Sequence, residues 1–529
     1  MKSSGIPPFA NTAKDGAPDP LWLGKRNFFD RALRWYGVNR MLQPLSIDDS
    51  LRLRSSLVEA GYTEATIQKH LGAAELPSYR LRNEPRLLDR TSEVSLLNSL
   101  LRWFWLGRSQ TANSVAHVPQ SLLHLLLEAG MLVRHGDLFA PTTMLLCAQH
   151  FLVASDHPSA IERGDSELVL WPNPTSRFLS RFTIRRPSRA TLDLGTGSGI
   201  LSLGAAAHSA SVVATDLNPR VPSFVNFNAR LNGIEKIEML LGDAFQPVRG
   251  RSFDLILSNP PFFITPRNDF TFCDNPLELD QLCRQLVQQA PGYLNQDGYM
   301  QMLCEWAQVS GQPWEERIAE WLEDSGCDAW VMKGLTQYPE EYAQNRISET
   351  APNTGRDQDL YDGYMSYYRR HQVEAIHDGM IVMRRRSGSN WARIEEVPKT
   401  TMTGELGEMV LATFAAQDLL LNVESDERLL AVKIKLASPV RLEQVCSLAG
   451  SRWRADSVTL RLARGFPFTM KIQPLVAEFL ATCDGTRTAG QAIQALALSV
   501  DAPMDTVKHE CLAILRRLIE RGFIEVTPQ

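Results

Sequence analysis

The sequence predicts an α/β protein: a central parallel sheet covered by helices on both faces, with smaller winged-helix-like units on either side. Three observations lead there. Between Ala190 and Asn259, short apolar runs ending in polar residues (ATLDL, SVVATD, IEMLLGD, FDLILSN) alternate with helix-length segments, the rhythm of β-α-β units. Ahead of them, a helical run stopped by glycine leads into two short strand-like runs. Beyond about Thr400 the pattern changes to alternating strands followed by long helical segments. At roughly 150 residues per domain, a chain of 529 residues suits three or four such units.

Residues 1–24, rich in Gly, Pro, Ser and Ala, are expected to form a disordered tail. An N-terminal, mostly helical, winged-helix-like domain is expected over 25–160. Within it Ser46 and Asp49 make a capping-box pattern ahead of Leu51, Leu57 and Val58, and Gly61 closes the helix. A second short helix follows from Thr63 to Gly72. SLLHLLLEAG (121–130) reads as a helix and MLVRHGDLFAP (131–141) as a hairpin turning at His135-Gly136-Asp137. Such a unit serves either nucleic-acid contact or packing. The main α/β domain is expected over 165–390: after the four strands above, GYMQMLCEW (298–306) continues the sheet, and AWVMKGL (329–335) with GMIVMRRR (379–386) closes it as a pair. The insertion between these two, 339–378, is too long for a tight hairpin. An α+β, winged-helix-like C-terminal domain is expected over 400–529. There KIKLAS, SVTLRLA and FTMKI alternate like strands, while PLVAEFLATCDGTRTAGQAIQALA and MDTVKHECLAILRRLIERGFIEV read as helices ending in Gly522 and a short strand. On Asp484-Gly485 and Gly522, this stretch resembles the small peptide-binding chaperone domains of peptide-modifying enzymes.

Composition excludes several classes. No stretch approaches the ~18 to 20 uncharged apolar residues of a membrane span, and the first twenty residues lack an apolar signal core, so a cytoplasmic chain with no membrane partner is expected. The eight cysteines are scattered, with no C-x-x-C pair and no histidine at zinc-finger spacing; reduced, buried thiols and no metal are expected. A net charge of -5, from 55 basic and 60 acidic residues, speaks against a protein that coats nucleic acid non-specifically, though not against a local basic patch.

The strongest local signal is LDLGTGSGI (192–200), between a strand and a helix. Gly195, Gly197 and Gly199, with Thr196 among them, permit a tight turn whose amides approach a ligand. Ile200 stands where the dinucleotide fingerprint needs its third glycine, which disfavours a nicotinamide enzyme. Asp193, Asp216 and Asp243 end three successive strands. A carboxylate after the second strand can accept both ribose hydroxyls, and Asp243, with Ala244 and Phe245, can meet an adenine ring. Each alone is equally a turn or helix-capping aspartate; all three together weaken that reading.

At the end of the fourth strand stands SNPPFF (258–263). From about Glu167 to Arg386 the chain resembles the class I S-adenosylmethionine-dependent methyltransferases of the small-domain type, Rossmann-like enzymes related to N6-adenine, guanine-N2 and glutamine-N5 methyltransferases. Asn259, Pro260, Pro261 and Phe262 match their D/N-P-P-F/Y/W motif residue by residue. The resemblance implies S-adenosyl-L-methionine as cofactor, bound by Asp193, Gly195, Thr196, Gly197, Gly199, Asp216, Asp243, Ala244 and Asn259. It implies catalysis at Asn259, Pro260, Pro261 and Phe262: the Asn259 side-chain oxygen and the Pro260 carbonyl accept the two N–H bonds of a planar amine, and Phe262 stacks on it. Positioning then does the catalysis, with no deprotonating base.

Weaker candidates surround these. WPNPTSRF (171–178) is either a lid over the cofactor or a Pro-rich connector. Arg177, Arg181, Arg185, Arg186 and Arg189, and Arg384 to Arg386, either meet phosphates or form a solvated face. Tyr361, Tyr364, Tyr367 and Tyr368, followed by Arg369 and Arg370, either wall a substrate cleft or, the favoured reading, pack in the core. The expected acceptor is an exocyclic base amine of RNA or DNA, the alternative a protein glutamine amide. Phe262 points to the first; net acidity and the chaperone-like C-terminus point to the second. A non-catalytic binding scaffold would show a broken glycine loop or a broken Asn-Pro-Pro-Phe, and both are intact.

Overall fold

The computed structural model describes residues 41–72, 84–351, 355–397, 402–423, 425–438 and 440–527, and from Leu42 onward they form one compact unit. The expected tail 1–24, residues 25–40 and the start of the expected C-terminal domain at 400–401 lie outside the described residues.

Helices α1 (Ile47–Glu59), α2 (Glu64–Leu71), α3 (Glu84–Arg90) and α4 (Leu96–Phe104) open the fold. The Ser46 hydroxyl accepts the Asp49 N–H at 3.0 Å, Thr63 caps α2, and Gly72 ends it at φ +62°. Strand β1 (Gln110–Thr111), α5 (Gln120–Glu128), β2 (Leu132–His135) and β3 (Leu138–Pro141) follow, giving a helix and hairpin with a third strand in the order β1-β3-β2. A second hairpin, β4 (Met144–Ala148) with β5 (Phe151–Ser155), leads through the short α6 (Ser159–Glu162) to α7 (Pro174–Phe182).

The main sheet comprises β6 (Ser188–Leu194), β7 (Ser209–Asp216), β8 (Ile237–Leu241), β9 (Phe253–Ser258), β10 (Leu294–Val309), β11 (Cys327–Gln337), β12 (Val373–Arg385) and β13 (Ala392–Glu396). Between them run α8 (Ile200–Ala205), α9 (Val221–Leu231), α10 (Gln281–Gln289), α11 (Trp314–Leu322), and the two insertion helices α12 (Pro339–Thr350) and α13 (Asp357–Arg370). The order is β13-β11-β12-β10-β9-β6-β7-β8, and β12 alone runs antiparallel to its neighbours. Strand periodicity distributes the core: Leu255 and Leu257 pack with Phe182 and Trp330 on one face, Ile256 with Val287 and Trp321 on the other. The two closing strands pair in the register Val331↔Ile381, as their apolar runs predict.

Apolar cores run across the expected domain boundaries. Leu53, Leu57 and Leu145 share one cluster with Phe224, Phe227 and Leu231 of α9. The buried Asn228 side chain on α9 accepts the Ala154 N–H at 2.8 Å and donates to the carbonyls of Ala154 and Ser198, joining β5 to the loop after β6. On the other side α14 (Gly407–Asn422) places Val410 and Phe414 against Tyr299 and Trp330. It approaches so closely that a Cβ on Gly407 would lie 2.1 Å from the Thr183 carbonyl oxygen.

The remaining elements are α15 (Asp426–Ala431), β14 (Lys433–Leu436), β15 (Val440–Ala449), β16 (Arg452–Leu462), β17 (Thr469–Ile472), α16 (Pro474–Ala481), β18 (Asp484–Thr488), α17 (Ala489–Ser499), α18 (Met504–Glu520) and β19 (Ile524–Thr527), in two sheets ordered β18-β14-β19 and β15-β16-β17. Two differences from expectation stand out. α14 and β15 were not expected, and the helical reading of 474–497 is interrupted by β18. There Asp484 accepts the Thr486 N–H at 2.8 Å, Gly485 takes φ +88°, and Thr488 then caps α17. All eight cysteines are free; seven are buried and Cys446, on β15, is exposed. Among the described residues no helix is long and apolar enough to cross a membrane, and no cluster of His, Cys, Asp or Glu could hold a metal ion.

Candidate active site

The chain passes from β6 outward through β7 and β8, then returns to the other side of β6 as β9. A crevice therefore opens at the carboxyl ends of β6 and β9, where ligands bind in doubly wound sheets. The two strand ends are joined directly, the Ser258 hydroxyl donating to the Leu194 carbonyl at 2.9 Å. The sequence-predicted loops meet here: Gly195, Gly197 and Gly199 take φ +74°, +55° and +84°, values that favour glycine, and the Gly195 and Thr196 amides donate to the Thr215 carbonyl on the adjacent strand.

Asp193 is fully buried. Its Oδ2 accepts the hydroxyls of Thr196 and Ser202, each at 2.6 Å, while Oδ1 is buried with no hydrogen-bond partner among the described residues. Burial pushes its carboxyl up to about 6, against the pull of those hydroxyls. Asp216 accepts the Gly197 and Asn218 N–H groups, both at 2.9 Å, and burial raises it too, opposed by these backbone donors. Each oxygen keeps a lone pair for a ribose hydroxyl. Asp243 is exposed just past β8, and the Gly242 amide in that turn donates to the Asp216 carbonyl at 2.8 Å; Ala244 takes φ +44°. Leu217, 62% exposed beside Asp216, offers an apolar surface for a flat ring and was not among the expected residues. A buried acceptor with an unused lone pair at the end of β6, acidic residues ending β7 and following β8, and an exposed apolar side chain fit an adenosine-bearing cation such as S-adenosylmethionine.

Asn259 follows β9 directly. Its Nδ2 donates to the Thr175 hydroxyl at 3.3 Å, and its Oδ1 is buried without a partner among the described residues. A buried carbonyl left unmatched costs about 1–3 kcal/mol, so its persistence marks a place for an incoming donor. Pro260 is buried, Pro261 and Phe262 half-buried, and Phe262 meets Phe263 edge-on at 5.8 Å. The chain then runs without regular structure to α10. The insertion tyrosines pack in the core, the favoured expectation, and their hydroxyls tether this loop. Tyr342 accepts the Ile264 N–H at 3.1 Å and donates to Glu305; Tyr368 donates to the Ile264 carbonyl at 2.8 Å; Tyr364 accepts from Thr265 at 3.0 Å; Tyr367 accepts the Leu279 N–H at 2.8 Å. Arg346 of α12 lies 3.9 Å over the Phe263 ring.

Several expectations change. Phe245 is buried and stacks on Tyr293 at 4.4 Å, so it belongs to the core and not beside an adenine. The 171–178 segment is a packed wall: Trp171 is buried and Asn173 caps α7. The basic runs are engaged internally. Arg185 pairs with Glu405, Arg189 with Asp254 and Arg386 with Asp418, while Arg384 bridges Asp328 and Asp418. Arg385 donates to the Pro291 and Leu294 carbonyls, and Arg186 lies over Tyr299. Arg185 and Arg186 precede β6, Arg189 lies at its start, and Arg384 to Arg386 end the antiparallel β12, so these sit at the opposite end of the sheet from the crevice; Arg177, on α7 two residues past Thr175, does not, and lies 4.0 Å from Glu64. Sequence placed Thr175 in the candidate segment 171–178 and singled out Tyr364, Tyr367 and Tyr368, but not their partners, which are distant in the chain; Leu217 and Tyr342 it did not single out.

With the crevice, its acidic rim and the tethered Asn-Pro-Pro-Phe loop in one place, the central domain is of the class I S-adenosylmethionine-dependent methyltransferase kind. Comparison with known proteins agrees: residues 173–312 match the family described as methyltransferase small domain, and 412–526 match a domain of unknown function (DUF7782). The chain is 34% identical over 101 residues to a release factor glutamine methyltransferase of Aquifex aeolicus (18% of this chain, 36% of the relative). To a release factor glutamine methyltransferase of Xylella fastidiosa it is 34% identical over 160 residues (27% and 58%). To a ribosomal RNA small subunit methyltransferase C of Alcanivorax borkumensis it is 24% identical over 192 residues (34% and 53%). The chain thus spans between 36% and 58% of the length of these relatives.

Proposed function

We propose that the protein transfers a methyl group from S-adenosylmethionine to a planar amino nitrogen of a macromolecule, an exocyclic base amine of RNA or DNA, in the cytoplasm. The observation that carries this reading is the buried, unpartnered Asn259 Oδ1 beside the glycine loop. Bound S-adenosylmethionine supplies an electrophilic methyl on a sulfonium. Asp193 and Asp216 hold its cationic and ribose groups, with Gly195, Thr196, Gly197 and Gly199 lining the turn and Asp243 and Ala244 at the adenine end. A base amine is a weak nucleophile because its lone pair is delocalised. Asn259 Oδ1 and the Pro260 carbonyl accept its two protons, Pro261 stiffens the turn, and Phe262 stacks on the plane, so the lone pair is turned toward the methyl. A protein glutamine amide is the second reading. It has the same planar NH2, the relatives named above include glutamine methyltransferases, and the arginines once available for phosphates are engaged elsewhere.

Incubation with radiolabelled methyl donor and a cell extract divided into RNA, DNA and protein fractions is expected to label the RNA or DNA fraction; label in protein alone selects the glutamine reading. Asn259→Ala is expected to lower transfer by about 100-fold or more, with donor affinity nearly unchanged. Equal loss of binding and turnover overturns the role of Asn259.

A further inference from the structure

We infer that Thr175 is a positioning residue that fixes which end of the Asn259 amide faces the acceptor nitrogen; this rests on the role proposed for Asn259. The chain of logic starts in the cap of α7. The Ser176 backbone N–H, which can only donate, lies 2.8 Å from Asn173 Oδ1, so that end of the Asn173 amide is an acceptor. Thr175 Oγ1 is 2.8 Å from the same oxygen. Its single proton must therefore point to Asn173, leaving lone pairs alone on its other side. The Asn259 amide, 3.3 Å away, can meet those lone pairs only with Nδ2. Oδ1 is thereby turned the other way, where it is buried without a partner among the described residues.

The opposite orientation sets two acceptor oxygens against each other with no proton between them, and shows the acceptor amine a donor instead of an acceptor. The local sequence serves two purposes here. Asn173 at the cap, Pro174 in the first turn and Ser176 completing the capping box start α7. The same arrangement fixes the direction of one hydroxyl, which orients a side chain 84 residues away.

Thr175→Val preserves shape but can neither donate nor accept. Its kcat is expected to fall about ten-fold, the effect of one hydrogen bond, with donor Kd within two-fold. Thr175→Ser, which restores the hydroxyl, is expected to recover kcat to within about three-fold. In an Asn259→Asp background one carboxylate oxygen faces the Thr175 lone pairs whichever way the side chain turns, so the hydroxyl no longer helps and Thr175→Val is expected not to lower kcat further. Exchange of the Asn259 side-chain amide protons, followed by NMR with the signal identified by its loss in Asn259→Asp, supplies a readout independent of turnover; it is expected to accelerate at least ten-fold in Thr175→Val. Unaltered kcat and exchange in Thr175→Val overturn the inference, as does a Thr175→Ser variant no faster than Thr175→Val. Absence of transfer by the wild-type protein to any fraction instead refutes the activity on which the relay rests, while the exchange measurement still tests the relay.

Discussion

With Asp193 holding the donor as proposed, donor binding depends on pH in the direction set by the burial of its carboxyl. Burial raises its carboxyl from the ordinary 3.8 to about 6, with Asp216 nearby pushing the same way and the Ser202 and Thr196 hydroxyls opposing. Because the folded value lies above the unfolded one, the unliganded protein binds this proton more readily than the unfolded chain does. Its stability at this site is present below the unfolded value and falls as pH rises toward 6, by at most about 3 kcal/mol. A cationic donor prefers the ionised carboxylate, so ligand binding and protonation compete. If only the ionised form binds, the apparent Kd grows as one plus ten to the power of six minus pH: about 1.1-fold at pH 7, about two-fold at pH 6 and about eleven-fold at pH 5. Isothermal titration of S-adenosylmethionine across pH 5 to 7 at constant ionic strength measures this, with Asp193→Asn as control. The variant is expected to bind at least ten-fold more weakly at pH 7 and to show little pH dependence. A wild-type Kd that stays within two-fold over that range, or an Asp193→Asn protein with the same slope as wild type, refutes the reasoning.

Two further outcomes are expected. Arg384→Ala removes a buried guanidinium bonded to Asp328 and Asp418, leaving the fully buried Asp328, among the described residues, with Arg386 at 3.8 Å as its remaining ion-pair partner; a loss of about 3–5 kcal/mol, or roughly 3 to 5 °C in Tm by calorimetry for a unit of this size, should accompany unchanged donor affinity. Weakened RNA binding without loss of stability would return Arg384 to a phosphate-contacting role. Tyr342→Phe removes the acceptor of the Ile264 N–H and one donor to Glu305, at about 1–3 kcal/mol in the loop that carries Phe262. Turnover at saturating substrate should drop while donor Kd holds, and a variant with lowered Tm but wild-type kcat would show the tether to be structural alone.

Local patterns carried the sheet. β6, β7 and β9 are short apolar runs because both faces are covered, and a run of that kind reads as a strand whatever surrounds it; β8, at the sheet edge, is only partly buried. The glycine loop and Asn-Pro-Pro-Phe were legible because their backbone demands leave few residue choices. α14 was not legible: its sequence, GEMVLATFAAQDLLLN, is apolar around much of its circumference because it packs on both the main sheet and the C-terminal unit, which blurs the amphipathic period. β18 was missed for the opposite reason, since DGTRT carries turn residues and finds its partner β14 some fifty positions earlier. The arginines misled because charge is visible in sequence and pairing is not. Arg185 and Glu405 stand 220 residues apart.

Three segments remote from one another converge on the loop after β9, and this bears on how the chemistry is done. α7 orients Asn259 through Thr175, the insertion helices grip Ile264, Thr265 and Leu279 through four phenols, and Ser258 pins the strand end to Leu194. An enzyme relying on a proton-accepting base would need a titrating side chain aimed at the acceptor. Here the groups around Asn259 are an amide, hydroxyls, prolines and a phenylalanine. In the role proposed for Asn259, what they provide is fixed direction: an acceptor oxygen already desolvated and already turned, so that little reorganisation remains when the amine arrives. On that account the residues that most affect turnover include several that never touch substrate, and the insertion between β11 and β12 is better understood as scaffolding for the catalytic loop than as a wall of the substrate cleft.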